Sequence, residues 1–252
     1  MTPTEPHDAT LDVLGCSGGW SDAGRACSGY LLTANGGRVW IDAGTGTFER
    51  LLRRGPLADV DAVWLTHLHP DHCADLLMAF QAMAYGDVGT DRLPVYGPPG
   101  WAAVFDAFLG EEVAEVFEIH DLEDGAVHDL GGTPYTAVAT HHGMPSFGLR
   151  ADLGGRTFAY TSDTGPGPGT VRIADGADTL LAEAFLSLPG ARAFTSVSTP
   201  KQAGAYAHEG GVRQLVLTHL HPDADPSAAV RRASTAFAGP ISVATEGAVI
   251  SL

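Results

Sequence analysis

The chain has 252 residues, and its hydrophobic fraction of 44% is enough for a sizeable buried core and excludes a disordered, tail-like protein. The formal net charge is −16, from 14 basic and 30 acidic residues, which excludes the basic surface that binds a nucleic-acid backbone or an anionic membrane. Small anionic substrates are not excluded, because a bound cation can dominate the charge of a site.

Short apolar runs alternate with glycine-rich turns in the first half of the chain. They predict strands at Leu11–Gly15, Tyr30–Thr33, Arg38–Asp42, Ala62–Leu65 and Leu93–Tyr96, and helices at Thr47–Arg54, Cys73–Tyr85 and Trp101–Leu109. Several short alternating runs between Val116 and Ala139 predict an antiparallel ladder.

Strands and helices alternate again in the second half. The predicted strands are Arg156–Thr161, Thr179–Ala182, Leu215–Leu217 and Ile241–Ala244, the predicted helices are Lys201–Glu209 and Ser227–Phe237, and Gly165–Gly169 is a predicted loop. This alternation predicts a mixed, layered α/β fold, with residues 1–252 forming one domain.

Three features of the sequence bear on the compartment. No apolar run reaches the roughly 20 residues that a membrane span needs. The polar segment Met1–Thr10 has no basic region of the kind that opens a secretory signal. The three cysteines, Cys16, Cys27 and Cys73, are an odd number without metal-type spacing. We therefore expect a cytoplasmic protein with neither a disulfide framework nor a membrane partner.

One six-residue segment occurs twice. Thr66–Asp71 and Thr218–Asp223 both read T-H-L-H-P-D, and each follows a predicted buried strand and precedes a predicted helix. We interpret the repeat as a pseudo-symmetric fold in which two equivalent strand ends point at one site. Chance combined with similar local architecture is the alternative, since six residues are few.

Four potential metal ligands lie within six residues, in the pattern H-x-H-x-D-H. Side chains two apart in an extended segment point the same way, so His67 and His69 can hold one ion. Asp71 and His72 lie at the turn into the following helix and face a second ion. Histidine is the commonest metal ligand near neutral pH, and the pattern therefore predicts a metal site.

The remaining ligands are expected far along the chain. His142, Asp163 and His219 each follow a predicted strand, where open α/β sheets place their sites. Together with the first cluster, they reach the six or seven ligands that two metal ions need. Two cations about 3.5–4 Å apart are a standard hydrolytic device.

The motif H-L-H-P-D-H (67–72) resembles the signature of the metallo-β-lactamase-fold hydrolases. Five further segments are similar to the ribonuclease Z branch of that family: L-G-C-S-G-G (14–19) with Arg25, S-F-G-L-R (146–150), Y-T-S-D-T-G (160–165), L-L-A-E-A (180–184) and L-T-H (217–219). The resemblance covers nearly the whole chain. Within the branch, the chain looks most like bacterial, particularly actinobacterial, phosphodiesterases that open 3′,5′-cyclic nucleotides.

The resemblance implies an αββα sandwich of two mixed sheets with a site for two Zn²⁺ ions, or alternatively Mn²⁺ or Fe²⁺. It assigns His67, His69 and His142 to the first ion, Asp71, His72 and His219 to the second, and Asp163 to both. A hydroxide between the metals would attack phosphorus, and Asp71 is a candidate acceptor for its proton. Counting back from S-F-G-L-R selects His142 as the ligand, which leaves His141 beside the site.

The chain departs from the family pattern in two ways, at Val197 and in the lack of a lysine-rich arm. The family carries a histidine, the proton donor to the leaving group, at the position of Val197, so His221 and His141 are the candidate substitutes as catalytic residues. Glu183 is a candidate partner that fixes the tautomer of a ligand histidine, and an exposed loop glutamate is the alternative. The chain also lacks a lysine-rich arm for tRNA, because Lys201 is its one lysine.

These observations favour a binuclear zinc phosphodiesterase that acts on a small phosphodiester such as 3′,5′-cyclic AMP, and not on a nucleic-acid polymer. The main alternative is a hydrolase for a lactone or carboxylic ester on the same metals, for which the missing acid matters less. A third hypothesis is a catalytically weak binding protein that bound metal stabilises. The branch admits a homodimer, but nothing in the sequence locates its interface.

Overall fold

The computed structural model describes residues 9–86, 88, 92–186 and 194–252. The strands are β1 Thr10–Gly15, β2 Gly29–Ala34, β3 Gly37–Ile41, β4 Ala62–Trp64, β5 Leu93–Gly97, β6 Phe117–Asp121, β7 Val127–Leu130, β8 Thr133–Ala139, β9 Phe147–Asp152, β10 Thr157–Tyr160, β11 Thr179–Glu183, β12 Gln214–Thr218, β13 Ile241–Val243 and β14 Val249–Ser251. The helices are α1 Thr47–Leu52, α2 Pro70–Cys73, α3 Leu76–Tyr85, α4 Trp101–Leu109, α5 Pro168–Ala174, α6 Pro200–Glu209 and α7 Pro226–Ala233, with 3₁₀ turns at Leu57–Asp59 and Val113–Glu115.

The strands form two seven-stranded sheets, in the orders β14-β1-β2-β3-β4-β5-β6 and β13-β12-β11-β10-β9-β8-β7. In the first sheet β14 to β3 pair antiparallel and β3 to β6 pair parallel. In the second sheet β13 to β10 pair parallel and β10 to β7 pair antiparallel. Both sheets are therefore mixed, as the sequence predicts.

Three layers of buried side chains hold the sheets and helices together. The central layer lies between the two sheets and contains Tyr30, Trp64 and Tyr160. A second layer joins the first sheet to α1, α3 and α4, and here Trp101 and Phe105 are buried on the inner face of α4. A third layer joins the second sheet to α5, α6 and α7. The order of layers is helix, sheet, sheet, helix, which confirms the predicted αββα sandwich.

The direction of the strands determines where the loops meet. Strand β8 runs antiparallel to β9, and β9 runs antiparallel to β10, so β8 and β10 point the same way. Strands β11 and β12 are parallel to β10. The carboxyl ends of all four strands therefore lie at one edge of the second sheet, which is where polar side chains can be gathered into a site.

The predicted ladder between Val116 and Ala139 is wrong in one respect. Strands β7 and β8 pair antiparallel, but β6 belongs to the other sheet and pairs parallel with β5. Helix α4 connects β5 to β6, and such a crossover favours parallel pairing. The chain then crosses to the second sheet between Leu122 and Ala126. Short alternating runs show that strands are present but not which sheet they join.

Two helix predictions also differ from the structure. The predicted loop Gly165–Gly169 overlaps the start of α5, in which Pro168 takes the first-turn position that suits proline. The predicted helix Cys73–Tyr85 is divided, because the chain turns between α2 and α3 and the Asp75 N–H donates to the Ala43 carbonyl. In the described part of the chain, no helix has the length and apolar character needed to cross a membrane.

Candidate metal centre

The structure brings together all seven predicted metal ligands, from both sheets. His67 follows β4, and His69, Asp71 and His72 lie at the start of α2. The other three come from the aligned strand ends of the second sheet: His142 after β8, Asp163 after β10 and His219 after β12. In the second T-H-L-H-P-D segment, α7 begins three residues after its aspartate, so this segment delivers His219 and not a second full cluster.

Three imidazoles form the first group. His69 Nδ1 lies 3.1 Å from His67 Nε2 and 3.0 Å from His142 Nε2, so three nitrogens converge on one point. Asp163 Oδ2 lies 4.0 Å from His67 Nε2 and completes the group. One ion at this point could be held by all four side chains.

The second group lies beside the first. Asp71 Oδ2 is 3.1 Å from His219 Nε2 and 3.7 Å from His72 Nε2. Asp163 reaches this group as well, because its Oδ1 is 3.3 Å from His72 Nε2 and its Oδ2 is 3.4 Å from His219 Nε2. Asp163 therefore lies between the two groups.

Two buried atoms show that these residues fit a cation. His72 Nε2 and Asp163 Oδ1 have no hydrogen-bond partner in the described structure, although both are buried. A buried polar atom without a partner is costly, and native structures rarely tolerate it unless an ion or water satisfies it. Imidazole nitrogens and carboxylate oxygens are the donor set that zinc accepts.

The electrostatics favour the metal-binding protonation state at three of the proposed ligands and oppose it at His72. Burial lowers the pKa of His67 well below its ordinary value, and the neighbouring His72 adds to the effect. Burial and the neighbouring His142 lower the pKa of His69 in the same way, so both imidazoles stay neutral. Burial would raise the pKa of Asp71, but its hydrogen bond with His219 and the charges of His72 and His219 together outweigh burial and hold this pKa below its usual range. Burial would lower the pKa of His72, but the neighbouring carboxylates Asp163 and Asp42 outweigh it and raise this pKa, so His72 has to lose a proton before it can bind a metal.

Asp42, which no sequence motif marks, is the buried carboxylate that orients His72. Asp42 Oδ2 accepts a hydrogen bond from His72 Nδ1 at 2.8 Å and one from the Tyr160 hydroxyl at 3.1 Å. Its Oδ1 accepts from the backbone N–H and the hydroxyl of Thr66. A proton held on Nδ1 leaves the Nε2 lone pair of His72 facing the site. The sequence feature that could identify Asp42 is an aspartate directly after a buried strand, in I-D-A-G (41–44).

Three non-glycine residues at the site adopt left-handed backbone conformations. They are Asp42 (φ 57°), Ser162 (φ 57°) and His219 (φ 53°), and each follows a strand end. Such conformations cost free energy in residues other than glycine and cluster where function requires a particular side-chain direction. The backbone therefore turns sharply at the positions that direct a ligand, or the partner of a ligand, into the site.

Glu183, at the end of β11, is buried and is therefore not an exposed loop residue. Its Oε2 accepts the backbone N–H of Thr164 at 2.7 Å and of Ser198 at 3.3 Å. The predicted role of fixing a histidine tautomer belongs to Asp42 at His72, and to the Ser196 carbonyl, which accepts from His142 Nδ1 at 2.8 Å. Glu183 instead ties the Asp163 loop to the segment that carries Ser196.

The predicted turn Gly15–Gly19 lies against the second group of ligands. The Gly19 N–H donates to Asp71 Oδ2 at 2.8 Å. A Cβ on Gly18 would lie 2.7 Å from the His219 carbonyl oxygen and 2.9 Å from His219 Nδ1, so only glycine fits there. This turn is a packing element of the site.

A pocket of about 250 Å³ opens onto the ligands. Val197 is part of its wall, so the family's histidine position is occupied here by an aliphatic side chain. His141 is exposed, and its backbone pairs with Thr164 and Gly165. The His221 ring packs edge-on against Trp20, and the two ring centroids are 5.0 Å apart. The centroid of the His221 ring lies 5.7 Å from that of the Phe185 ring. Neither histidine is among the described residues that line the pocket.

The chain is similar to known proteins along most of its length. Residues 37–220 match the model of the β-lactamase superfamily domain. A Mycobacterium tuberculosis protein of unassigned function is 33% identical over 240 residues, covering 92% of this chain and 88% of that protein. Ribonuclease Z of Myxococcus xanthus is 29% identical over 300 residues, covering 96% of this chain and 97% of that enzyme.

Among solved structures, the metallo-β-lactamase fold protein YhfI from Bacillus subtilis superposes with a TM-score of 0.87 at 26% identity, over 98% of this chain and all of that one. The family match spans well over half of the chain, and the relatives match it along almost their full length. The chain therefore belongs to the β-lactamase superfamily, as a metal-dependent hydrolase of the metallo-β-lactamase fold and its ribonuclease Z-like branch.

Proposed function

We propose that the chain is a binuclear zinc phosphodiesterase that opens small cyclic phosphodiesters such as 3′,5′-cyclic AMP. The observation that carries the proposal is the position of Asp163, with one oxygen against His72 and the other facing both groups. A carboxylate in that position suits two ions held side by side. The likeness to a ribonuclease Z, an enzyme named for cleaving RNA, supports a phosphodiester as the electrophile.

In this proposal His67, His69 and His142 would hold the first ion, Asp71, His72 and His219 would hold the second, and Asp163 would serve both. Bound zinc supplies Lewis-acid chemistry, which activates water near neutral pH and offsets negative charge on phosphoryl oxygens. Asp42 and the Ser196 carbonyl fix the directions of two ligand rings. Asp71, placed by the Gly19 N–H, accepts the proton that the attacking water loses.

Ring opening consumes one water molecule. The water oxygen forms a new bond to phosphorus, one ester P–O bond breaks, and the leaving oxygen ends as a hydroxyl group. The product is a phosphomonoester. His221 and His141 remain the proposed sources of the leaving-group proton. Neither is among the described residues that line the pocket, so each side chain would have to move to reach it.

The size and charge of the molecule support a small substrate. The pocket volume of about 250 Å³ suits a nucleotide-sized molecule, and the net charge of −16 disfavours a nucleic-acid polymer or an anionic membrane as partner. We place this activity in the cytoplasm. A homodimer is compatible with the proposal and is tested by its mass in solution.

Val197 favours a second candidate function. An aliphatic side chain at this position provides no proton for a poor alkoxide leaving group. A lactone or carboxylic ester makes a smaller demand, because its carbonyl carbon is attacked directly and its alkoxide can be stabilised electrostatically. The same site would then act as a lactone or ester hydrolase.

The test is turnover of bis-p-nitrophenyl phosphate, 3′,5′-cyclic AMP and a homoserine lactone by zinc-reconstituted protein, beside Asp71→Ala. The proposal predicts hydrolysis of both phosphodiesters and its loss in the variant. Turnover of the lactone alone would transfer the function to carbonyl chemistry. Bound zinc with no turnover of any of the three would favour a metal-stabilised binding protein.

A further inference from the structure

Aromatic side chains form part of the pocket wall, and they have no role in holding the proposed metal ions. Phe185 and Phe194 line the pocket together with Val197. None of the described residues that line it is a lysine or an arginine. The pocket wall therefore contacts a substrate through aromatic rings and apolar surface. A site for a polyanion would instead offer ion pairs.

Phe185 is held in place by its surroundings. Its ring centroid lies 5.6 Å from that of His219, a proposed ligand, and 5.7 Å from that of His221. On another side, a Cβ at Gly18 would lie 2.7 Å from the Phe185 ring, so the ring packs directly against the glycine turn. A ring packed in this way keeps its position and loses little freedom when a ligand binds.

Phe194 differs because much of its ring faces solvent. It is 48% exposed although it lines the pocket. Covering exposed aromatic surface is favourable, and a planar heteroaromatic group gains further from stacking. Base stacking on a protein aromatic ring is typically worth about tenfold or more in affinity.

We propose that Phe185 and Phe194 select substrates that carry a planar aromatic group, and that for a cyclic phosphodiester this group is a nucleobase. The proposal rests on the proposed phosphodiesterase function and extends it by naming the specificity residues. Stacking tolerates any base, so these residues discriminate between base-bearing and base-free molecules, and only weakly between one base and another.

The experiment compares equilibrium binding of 5′-AMP and ribose 5-phosphate to the zinc-loaded protein by isothermal titration calorimetry. The two ligands share the phosphate and the sugar and differ in the base. The expected result is that 5′-AMP binds about tenfold or more tightly than ribose 5-phosphate. Phe194→Ala should remove most of this preference and leave the affinity for ribose 5-phosphate unchanged, and Phe194→Tyr should retain it.

Two further variants complete the test. Phe185→Ala should weaken 5′-AMP binding in the same direction, and its circular dichroism spectrum shows whether it remains folded. Phe108→Ala is the matched control, because Phe108 is 76% exposed on α4 and does not line the pocket. It should leave both affinities unchanged.

The outcomes separate this inference from the proposed function. Equal affinity for the two ligands, or a preference that survives Phe194→Ala, would overturn the role of the aromatic wall even where cyclic phosphodiesters are hydrolysed. A preference for 5′-AMP that Phe194→Ala removes, in a protein that hydrolyses no phosphodiester, would uphold aromatic recognition and reject the phosphodiesterase.

Discussion

Asp42 shows how one buried carboxylate controls the direction of a proposed ligand. It is fully buried and accepts hydrogen bonds from His72, Tyr160 and Thr66. Its left-handed conformation suits aspartate and asparagine better than most other residues. Asparagine can therefore keep the backbone while changing one acceptor into a donor, which isolates the effect of the charge and the hydrogen bonds.

We predict that Asp42→Asn lowers zinc affinity by about 10–100-fold. The new NH₂ group would face His72 Nδ1, and the imidazole would have to hold its proton on Nε2, where the metal needs a lone pair. The metal-free protein should also lose about 1–3 kcal/mol of unfolding free energy. Competition with a chromophoric chelator and urea denaturation measure the two effects.

Asp59→Asn is the control for this prediction, because Asp59 is an exposed carboxylate that pairs with Arg38 on the surface. Its zinc affinity should equal that of the unmodified chain. Wild-type zinc affinity in Asp42→Asn would show that Asp42 does not orient His72.

The turn Gly15–Gly19 at the end of β1 packs against the proposed ligand His219. We predict that Gly18→Ala weakens zinc binding and hydrolysis, because its Cβ would meet His219 and the Phe185 ring at less than 3 Å. Gly143→Ala is the matched control, since it adds the same methyl group to the loop after His142, where no atom lies within 4 Å. Equal zinc affinity of the two variants would contradict the described packing.

The N-terminus of α6 holds the segment that contacts His142. Thr199 Oγ1 accepts the Gln202 N–H, and Gln202 Oε1 accepts the Thr199 N–H, which is a capping box. We predict that Thr199→Ala lowers the unfolding free energy by about 1 kcal/mol and that Thr199→Ser changes it little. Urea denaturation measures both, and a loss as large in the serine variant would rule out the cap as the cause.

For the whole molecule, the proposed centre links the two sheets, so metal binding should stabilise the fold. His67 and His72 lie in the segment that follows β4 of the first sheet, and His142, Asp163 and His219 follow strands of the second sheet. A ligand at 100 times its Kd adds about 2.7 kcal/mol. In a chain of this size, removal of zinc by EDTA should lower the Tm by about 5–10 °C.

Differential scanning calorimetry measures this shift, and re-addition of zinc should reverse it. A Tm that is the same with zinc and with EDTA would show that the two sheets are not linked by metal.

The sequence predicts a structural feature well when the feature depends on residues close together in the chain or on a position at a strand end. The H-x-H-x-D-H cluster could be predicted because its geometry follows from residues two to five apart. His142, Asp163 and His219 could be predicted from their places at strand ends, which the shared direction of β8, β10 and β12 brings together. The residues of the candidate metal centre can therefore largely be predicted from the sequence.

The features that were missed depend on distant partners. Asp42 lies 30 residues before His72, and no local pattern marks the bond between them. The sheet that β6 joins is decided by the α4 crossover, and the burial of Glu183 is decided by two loops that meet around it. These are properties of the folded chain, and composition and periodicity do not contain them.

In the proposed metal centre, Asp163 would lie between two zinc ions. The most direct measurement is the number of zinc ions per chain, determined by inductively coupled plasma mass spectrometry on zinc-reconstituted, gel-filtered protein. We predict two zinc ions per chain in the wild type and fewer in Asp163→Ala. One zinc ion per chain in the wild type, or none, would contradict it.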